Sequence, residues 1–290
     1  MSYIVALTRL TFFRENHTVL AMRRFGLTLT ELILVIGIIA VLFAFLVPSL
    51  QRSRLQAKAA VCMSNIRQLN AALLMYATDN SKFSYGLYNP FPPDSPPASG
   101  YAGNQSYDRS GWWWFNYLDG FYEKNMGYNT VLQCPSNQLK HSKYQSDILC
   151  GNYGTNLLIC RMLIGGGDQN EVGNPRGVSE VFRPGQTLLI IDSGYAIISW
   201  RHAADSFTAT LGNTQIEDTA YIPGLSINRQ RQLKPEQKID ALYGRHPQMT
   251  VNAGFVDGHV ARTKAEDLLV KKKPDGHYEN KFPLWVPDSK

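Results

Sequence analysis

Two histidines and one aspartate near the C-terminal end carry side chains that can bind a metal ion. His246 is followed by Asp257 and His259, and imidazole and carboxylate groups are ordinary ligands of divalent metals. The competing interpretation is structural, because Asp257-Gly258 lies between two apolar segments. That dipeptide is typical of a type I′ hairpin turn, which needs positive φ. The residues favour the turn, so we expect no cofactor and keep the three residues as weak metal candidates.

Four cysteines, Cys62, Cys134, Cys150 and Cys160, supply the only thiols of the chain. Their spacing contains no Cys-x2-Cys pair and fits no zinc pattern, and four cysteines allow three full pairings. In an exported body, Cys62 could reach Cys134. Cys150 and Cys160 could close an eleven-residue segment. The alternative is four buried thiols, and the sequence leaves both open.

Glu31 is an isolated carboxylate at the start of a long apolar run. Residues 32–47 read LILVIGIIAVLFAFLV, and Leu27–Val47 as a helix would reach about 31 Å, the thickness of a bilayer core. Arg23 and Arg24 precede this span, as expected of a cytoplasmic flank. A charge inside a membrane span costs several kcal/mol and therefore indicates a partner and a role.

Three common targeting segments explain this run poorly. A secretory signal peptide needs a small-residue cleavage site close behind its apolar core. The nearest such pattern, Ala57-Lys58-Ala59, follows a polar stretch. A twin-arginine signal, read from Arg23-Arg24, is usually only mildly apolar. A plain membrane anchor explains the apolar run but not Glu31.

The helical pattern continues beyond the apolar run. From Leu55 to Tyr76, apolar or small residues recur at alternating steps of four and three, which predicts an amphipathic helix ending near Thr78. Arg52, Lys58, Ser64, Arg67 and Asn70 are expected on its opposite, polar face. Pro48 lacks a backbone donor and should kink this helix. A coiled coil is the alternative, with about three heptads present.

Residues 23–32, RRFGLTLTEL, resemble the cleavage and methylation site of type IV prepilins and type II secretion pseudopilins. That family has basic residues, Gly, an apolar residue, Thr-Leu and a Glu at the fifth mature position. Here Leu27 stands where Phe is frequent, Thr30 replaces an aliphatic residue, and Pro48 matches a helix-kinking proline. The resemblance implies cleavage between Gly26 and Leu27 and methylation of the new Leu27 amine. It further implies that this amine pairs with Glu31 of a neighbouring subunit.

A subfamily of pilin-like proteins is also similar to later parts of this chain. The similar segments are CMSNIRQLNAALLMYATDN, Cys134-Pro135, Tyr153 to Asn156 and RPGQTLLIIDSG. A further similarity is to the His-x9-Asp-Gly signature of this subfamily, which His246 and Asp257-Gly258 match, although ten residues separate His246 from Asp257 in this chain. The resemblance implies an α+β fold, with the long helix packed on an antiparallel β-sheet that carries large loop insertions.

The expected organisation has four parts. Residues 1–26 form a prepilin leader, which Met22 as the true start would shorten to MRRFG. Residues 27–48 form the transmembrane and assembly helix, 49–80 its amphipathic continuation, and 81–290 a globular β-rich domain. Within that domain, Thr187–Ile191 and Tyr195–Trp200 are predicted strands.

The implied function is a structural subunit of a type II secretion pseudopilus or a type IV pilus. Its partners would be a prepilin peptidase, other pilin or pseudopilin subunits, a platform protein, an assembly ATPase and membrane lipid. The location would be the bacterial inner membrane, crossed once, with the body in the periplasm or on an extracellular fibre.

Two other functions compete with the structural role. A minor pilin could bind DNA, a glycan or a surface through aromatic residues such as Trp112–Trp114. An exported metal enzyme could use His246 and Asp257; some pseudopilins bind calcium, but two histidines do not suit an oxygen shell. We expect no enzyme, because no nucleophile, base and oxyanion set forms a recognisable motif. We also expect no nucleic acid, because residues 1–26 carry +3 of the net +6.

Overall fold

The computed structural model describes residues 28–88, 112–118, 131–139, 149–163, 169–204, 220–231, 233 and 235–287. The described residues divide into two units, one that ends at Ser49 and one that begins at Leu50. Gly26 and Leu27, the predicted cleavage position, lie outside the described residues. So does most of the loop predicted from residue 84 to 111.

The long predicted helix is present as α1, Leu29–Asn80, 52 residues. It begins and ends two residues later than the predicted bounds, a difference within the usual scatter at helix ends. Pro48 lies inside it. The fold is therefore α+β with a long apolar helix at the N-terminal side, as predicted.

A five-stranded sheet forms the centre of the second unit, in the order β5-β3-β4-β6-β7. Two-stranded pairs, β1 with β2 and β8 with β9, complete the described strands. A nine-residue helix, α2, covers Pro235–Tyr243 and precedes β6. The strands are β1 Leu87–Tyr88, β2 Trp112–Trp113, β3 Tyr153–Asn156, β4 Leu188–Asp192, β5 Ile197–Ile198, β6 Thr250–Phe255, β7 Val260–Lys264, β8 Lys271–Lys272 and β9 Tyr278–Glu279.

The predicted antiparallel sheet is mixed, because β3 and β5 pair in parallel. After β4 the chain crosses the start of β3, where Ser193 N–H donates to Asn152 O and Gly151 N–H donates to Gly194 O, each at 3.0 Å. The crossing is close, since a Cβ on Gly154 would lie 2.6 Å from Tyr195 O. Having passed the start of β3, the chain runs along the far edge of β3 as β5, parallel to it.

The hairpin predicted at Asp257-Gly258 is present between β6 and β7, but its turn is not type I′. Gly258 has φ +98°, but φ of Asp257 is not positive. Gly258 N–H donates to Phe255 O, and Phe255 N–H donates to His259 O, both at 3.0 Å. This pattern belongs to a three-residue loop with a glycine bulge, which needs only one left-handed residue.

The second half of α1 packs against the body along most of the predicted stripe. Leu55 is an exception, because it is exposed, and Asn70 of the predicted polar face is buried. Asn70 Nδ2 donates to Phe255 O at 3.0 Å. A Cβ on Gly254 would lie 2.8 Å from Asn70 Cγ, so glycine permits this approach of helix to strand. The buried residues of α1 are Ala59, Cys62, Asn65, Ile66, Leu69, Asn70, Ala72, Leu73 and Ala77.

The body has two main apolar cores. One contains α1 residues such as Ile66 and Leu69 together with Trp113 and Trp114. The other contains Leu188, Val251 and Trp285 among others. The predicted strand over residues 187–191 is confirmed as β4. The strand predicted over 195–200 is shorter, because a 3-10 helix begins at Trp200.

A disulfide joins α1 to the first body loop. Cys62 and Cys134 bond across a sequence separation of 72, with Cα atoms 5.2 Å apart. Cys150 and Cys160 are buried thiols, so the second predicted disulfide is not formed. The described structure thus lies between the two sequence-based alternatives, with one disulfide and two thiols.

Replacing Cys62 and Cys134 together by alanine should lower the free energy of unfolding by about 2–4 kcal/mol. The reason is that the bond constrains a long loop in the unfolded chain. Urea unfolding of the full chain in detergent micelles, followed by tryptophan fluorescence, measures the loss. The matched control replaces Cys150 and Cys160, which also removes two buried sulfur atoms. Equal losses in the two proteins would contradict a stabilising cross-link.

Candidate functional site

The N-terminal end of α1 carries a reciprocal side-chain cap. Thr28 N–H donates to Glu31 Oε2 at 2.9 Å, and Glu31 N–H donates to Thr28 Oγ1 at 3.3 Å. The Thr28 hydroxyl also contacts Oε2, at 2.9 Å. This is the capping box, Thr followed three residues later by Glu. Sequence analysis missed this role of Glu31, although the Thr-x-x-Glu signal is visible in the sequence.

The first half of α1 exposes an almost continuous apolar surface. Every residue from 28 to 58 is exposed, and the large apolar side chains range from 44% exposed at Ile39 to 74% at Phe45. By length and composition the helix can cross a membrane.

The C-terminal Arg-His pair lies in a strained loop between α2 and β6. Gly244 has φ +73°, and the non-glycine residues Gln248 and Met249 have φ +60° and +53°. Left-handed non-glycine residues cost of order 1–3 kcal/mol each, and persist where the surroundings fix them. The loop directs Arg245 and His246 into the body, where both are buried.

Arg245 forms a fully buried ion pair with Asp240 of α2. Nη2 donates to Asp240 Oδ2 at 2.6 Å and Nε donates to Oδ1 at 3.0 Å. The remaining donors reach Asn152 O at 2.8 Å and Ser193 O at 3.0 Å. Burial disfavours the guanidinium charge, but Asp240 outweighs burial and raises the pKa of Arg245. Arg245 thus ties α2 to the chain crossing around β3.

Tyr221 completes this ion pair. Its hydroxyl donates to Asp240 Oδ2 at 3.0 Å. Burial, and then the neighbouring Asp240 carboxylate, raise the pKa of Tyr221 well above its ordinary value. Tyr221 therefore stays neutral and serves as a donor.

His246 is held by a second buried carboxylate, Asp192 at the end of β4. His246 Nε2 lies 3.0 Å from Asp192 Oδ2, and both side chains are inaccessible to solvent. Asn252 N–H donates to the same oxygen at 2.6 Å. Asn252 Nδ2 lies 3.1 Å from the same ring nitrogen. A carboxylate can only accept a hydrogen bond, so we assign the ring hydrogen of His246 to Nε2, and Asn252 Nδ2 then contacts Nε2 without donating to it.

The other ring nitrogen of His246 has no such partner. Nδ1 is buried without a hydrogen-bond partner within the described part of the chain. Such orphan atoms are uncommon in folded proteins and require an explanation. His246 also belongs to a group with Cys62 and Cys134, in which the sulfur atoms and a ring nitrogen all lie within 4.8 Å of one another.

The predicted metal candidates are not brought together. Asp257 Oδ1 lies 2.6 Å from His259 Nδ1 on the exposed hairpin turn. This turn follows the end of β6, whereas His246 precedes the start of β6. Its slight burial favours a higher pKa, but the hydrogen bonds from His259 outweigh this and lower the pKa of Asp257. Over the described residues, Cys62, Cys134 and His246 are the only potential metal-binding group of three. His246 is therefore separated from the turn pair.

The aromatic residues that could have formed a binding surface are core residues. Trp112, Trp113 and Trp114 are all buried, and Trp114 Nε1 donates to Ala196 O at 2.8 Å. The structural interpretation of this cluster is confirmed, and it offers no exposed platform for a ligand.

Comparisons with protein-family models, with curated proteins and with solved structures find no match to this chain. The fold and the site define an α+β protein with a long helix whose first half is apolar and exposed, and with a buried polar cluster next to a disulfide.

Replacing Arg245 by methionine should lower the free energy of unfolding by about 3–5 kcal/mol, because Asp240 would remain buried without its cation. Urea unfolding of the full chain in detergent micelles measures the change. Arg229→Met, at an exposed arginine, is the matched control and should cost far less. A cost no larger than that of Arg229→Met would contradict the structural importance of the pair.

Proposed function

We propose that this protein is a structural subunit of a pilin-like fibre, a type II secretion pseudopilus or a type IV pilus. Residues 1–26 are its leader, removed by a prepilin peptidase between Gly26 and Leu27, and Leu27 is then N-methylated. The observation that carries the proposal is the first half of α1, whose large apolar residues are exposed and whose one acidic residue, Glu31, lies at its start.

An apolar surface of this size needs a cover. Exposed contiguous apolar patches mark interaction or membrane sites. A bilayer covers the helix before assembly, and the helices of neighbouring subunits cover it in a fibre. Because its first half offers apolar side chains all round, the helix can pack against several neighbours at once.

Glu31 can serve its own helix and a neighbour together. Oε2 accepts both contacts from Thr28, and no hydrogen bond from a described residue reaches Oε1. In the proposed fibre, Oε1 accepts the Leu27 amine of the next subunit. Pairing the amine with Glu31 avoids two uncompensated charges in an apolar setting and fixes the register of the helices.

The proposed location follows from the same segment. The helix crosses a bacterial inner membrane once, with Arg23 and Arg24 on the cytoplasmic side and the body in the periplasm or on the fibre. The assembly partners are other pilin or pseudopilin subunits, the platform protein and an ATPase. Two features behind the alternative functions differ from expectation: Trp112–Trp114 are buried, and the described group of potential metal ligands joins His246 to Cys62 and Cys134 rather than to Asp257.

The first test is the N-terminus of the membrane-associated protein, measured by mass spectrometry with the prepilin peptidase present and absent. We expect a peptide that starts at methylated Leu27 only when the peptidase is present. Gly26→Val should block the cut, because a side chain at this position obstructs an extended peptide in a tight protease site. An intact leader in the presence of the peptidase, or cleavage after Ala59, would overturn the proposal.

The second test separates the two roles of Glu31. Glu31→Gln retains the cap, since Gln also completes a capping box, but removes the charge that pairs with the amine. Glu31→Leu removes both. We expect both variants to be processed and to lose fibre assembly, measured as sedimentable cross-linked subunits. Thr28→Val, which loses the hydroxyl cap but keeps the charge, should assemble with a helix weaker by about 1 kcal/mol.

Normal assembly of Glu31→Gln would show that the cap, and not the charge pair, is what the fibre requires. Loss of assembly in Thr28→Val as complete as in Glu31→Gln would point the same way.

A further inference from the structure

A histidine with one unoccupied ring nitrogen lies beside the Cys62–Cys134 disulfide, and the proposed fibre role uses neither. The two sulfur atoms and a ring nitrogen of His246 all lie within 4.8 Å of one another. All three residues are buried. The bond between the sulfur atoms accounts for the cysteines in this state, and Asp192 and Asn252 contact Nε2 of the histidine, but no described residue accounts for its buried Nδ1.

The surroundings of His246 are those of a metal ligand. Metal-binding histidines commonly donate their other ring N–H to a carboxylate, which fixes the tautomer and makes the ligand nitrogen more basic. Asp192 holds Nε2 in this way at 3.0 Å. Nδ1 is left buried, without a hydrogen-bond partner among described residues.

Asp192 is itself held in place. Its Oδ2 accepts the Asn252 N–H at 2.6 Å, and the Asn252 side chain accepts from Arg262 Nε at 3.1 Å. The imidazole orientation is therefore fixed by a chain of contacts that leads from β4 through β6 to β7. A preorganised second layer of this kind is what a stable metal site requires.

We infer that reduction of the Cys62–Cys134 disulfide creates a zinc site made of the two thiolates and His246 Nδ1. Zinc takes this combination of sulfur and nitrogen ligands, and three protein ligands leave a fourth position for water. Two thiolates neutralise the charge of Zn²⁺, which lowers the cost of burying the ion. Calcium is excluded by the donor atoms, because it prefers oxygen.

The redox step is an ordinary thiol–disulfide exchange. A dithiol reductant supplies two electrons and two protons, the Cys62–Cys134 bond breaks, and the reductant leaves as its own disulfide. The two new thiols then lose their protons as Zn²⁺ binds. Reoxidation by a disulfide reforms the sulfur–sulfur bond and releases the ion.

Disulfide and metal are thus alternative ways to fasten α1 to the loop that carries Cys134. The oxidised form fastens them covalently, and the reduced form through zinc. The site makes the attachment of the long helix independent of the redox state, provided that zinc is present. The inference stands on the body alone and does not depend on fibre assembly.

The test uses the full chain in detergent micelles, with and without a phosphine reductant. We expect about one tightly bound Zn²⁺ per reduced chain and none per oxidised chain, measured by metal analysis after gel filtration. X-ray absorption of the reduced zinc form should show two sulfur ligands at about 2.3 Å and nitrogen at about 2.0–2.1 Å. Equal zinc content in both forms, or a shell of four sulfur atoms, would overturn the inference.

Substitutions test which residues bind zinc. In the reduced protein, Cys134→Ser should abolish tight zinc binding. Cys160→Ser, the matched control at a buried cysteine outside the group, should retain it. Asp192→Asn should weaken zinc binding about 10- to 100-fold, as expected of a positioning residue. Binding of cobalt to the reduced, unsubstituted protein should give a thiolate-to-metal absorption band. This measurement does not depend on whether a variant folds. Retention of binding by Cys134→Ser, its loss in Cys160→Ser, or the absence of this absorption would each contradict the site.

Discussion

The constraint on which the rest of this structure depends is an apolar helical surface that remains exposed. From Leu29 to Leu50 the large apolar side chains of α1 remain in contact with solvent, and such a surface is stable only when lipid or protein covers it. The same helix changes character after Lys58. From Ala59 onward its buried residues fall on one stripe and enter the main core. One helix therefore performs two tasks, and the residue types along it separate them.

The second half of α1 is fastened to the body by three kinds of contact. The apolar stripe supplies most of the buried surface, with Ile66, Leu69 and Leu73 fully buried. Asn70 adds a directed hydrogen bond to the end of β6, which requires the close approach that Gly254 permits. The disulfide adds a covalent bond near the point where burial begins.

The buried polar residues contribute to the structure in a different way from the apolar cores. Two buried carboxylates, Asp192 and Asp240, are each paired with one residue of the adjacent Arg245-His246 dipeptide. Buried polar contacts of this kind add little net stability over apolar packing, but removing one partner is costly. They therefore select one arrangement of the α2–β6 loop, and they place an imidazole next to the disulfide. Gln248 and Met249, which follow the dipeptide in this loop, have positive φ.

The sequence by itself determined the features that rest on local pattern. The length of α1, most of its buried stripe, the strand at 187–191 and the position of the β6–β7 hairpin are all carried by periodicity and turn residues. The Thr28–Glu31 cap was equally local, and it was legible in the sequence. Only the tertiary structure decided which distant residues meet. Asp192 and His246 are 54 residues apart, so spacing could not reveal their contact. Cys62 and Cys134 are 72 residues apart, and the sequence offered their bond only as one of several pairings. Asp240 and Arg245 are only five residues apart, but no local pattern showed that both would be buried and would face each other. The mixed sheet and the burial of Asn70 depended on chain crossing and close backbone approach, and neither leaves a periodic signal in the sequence.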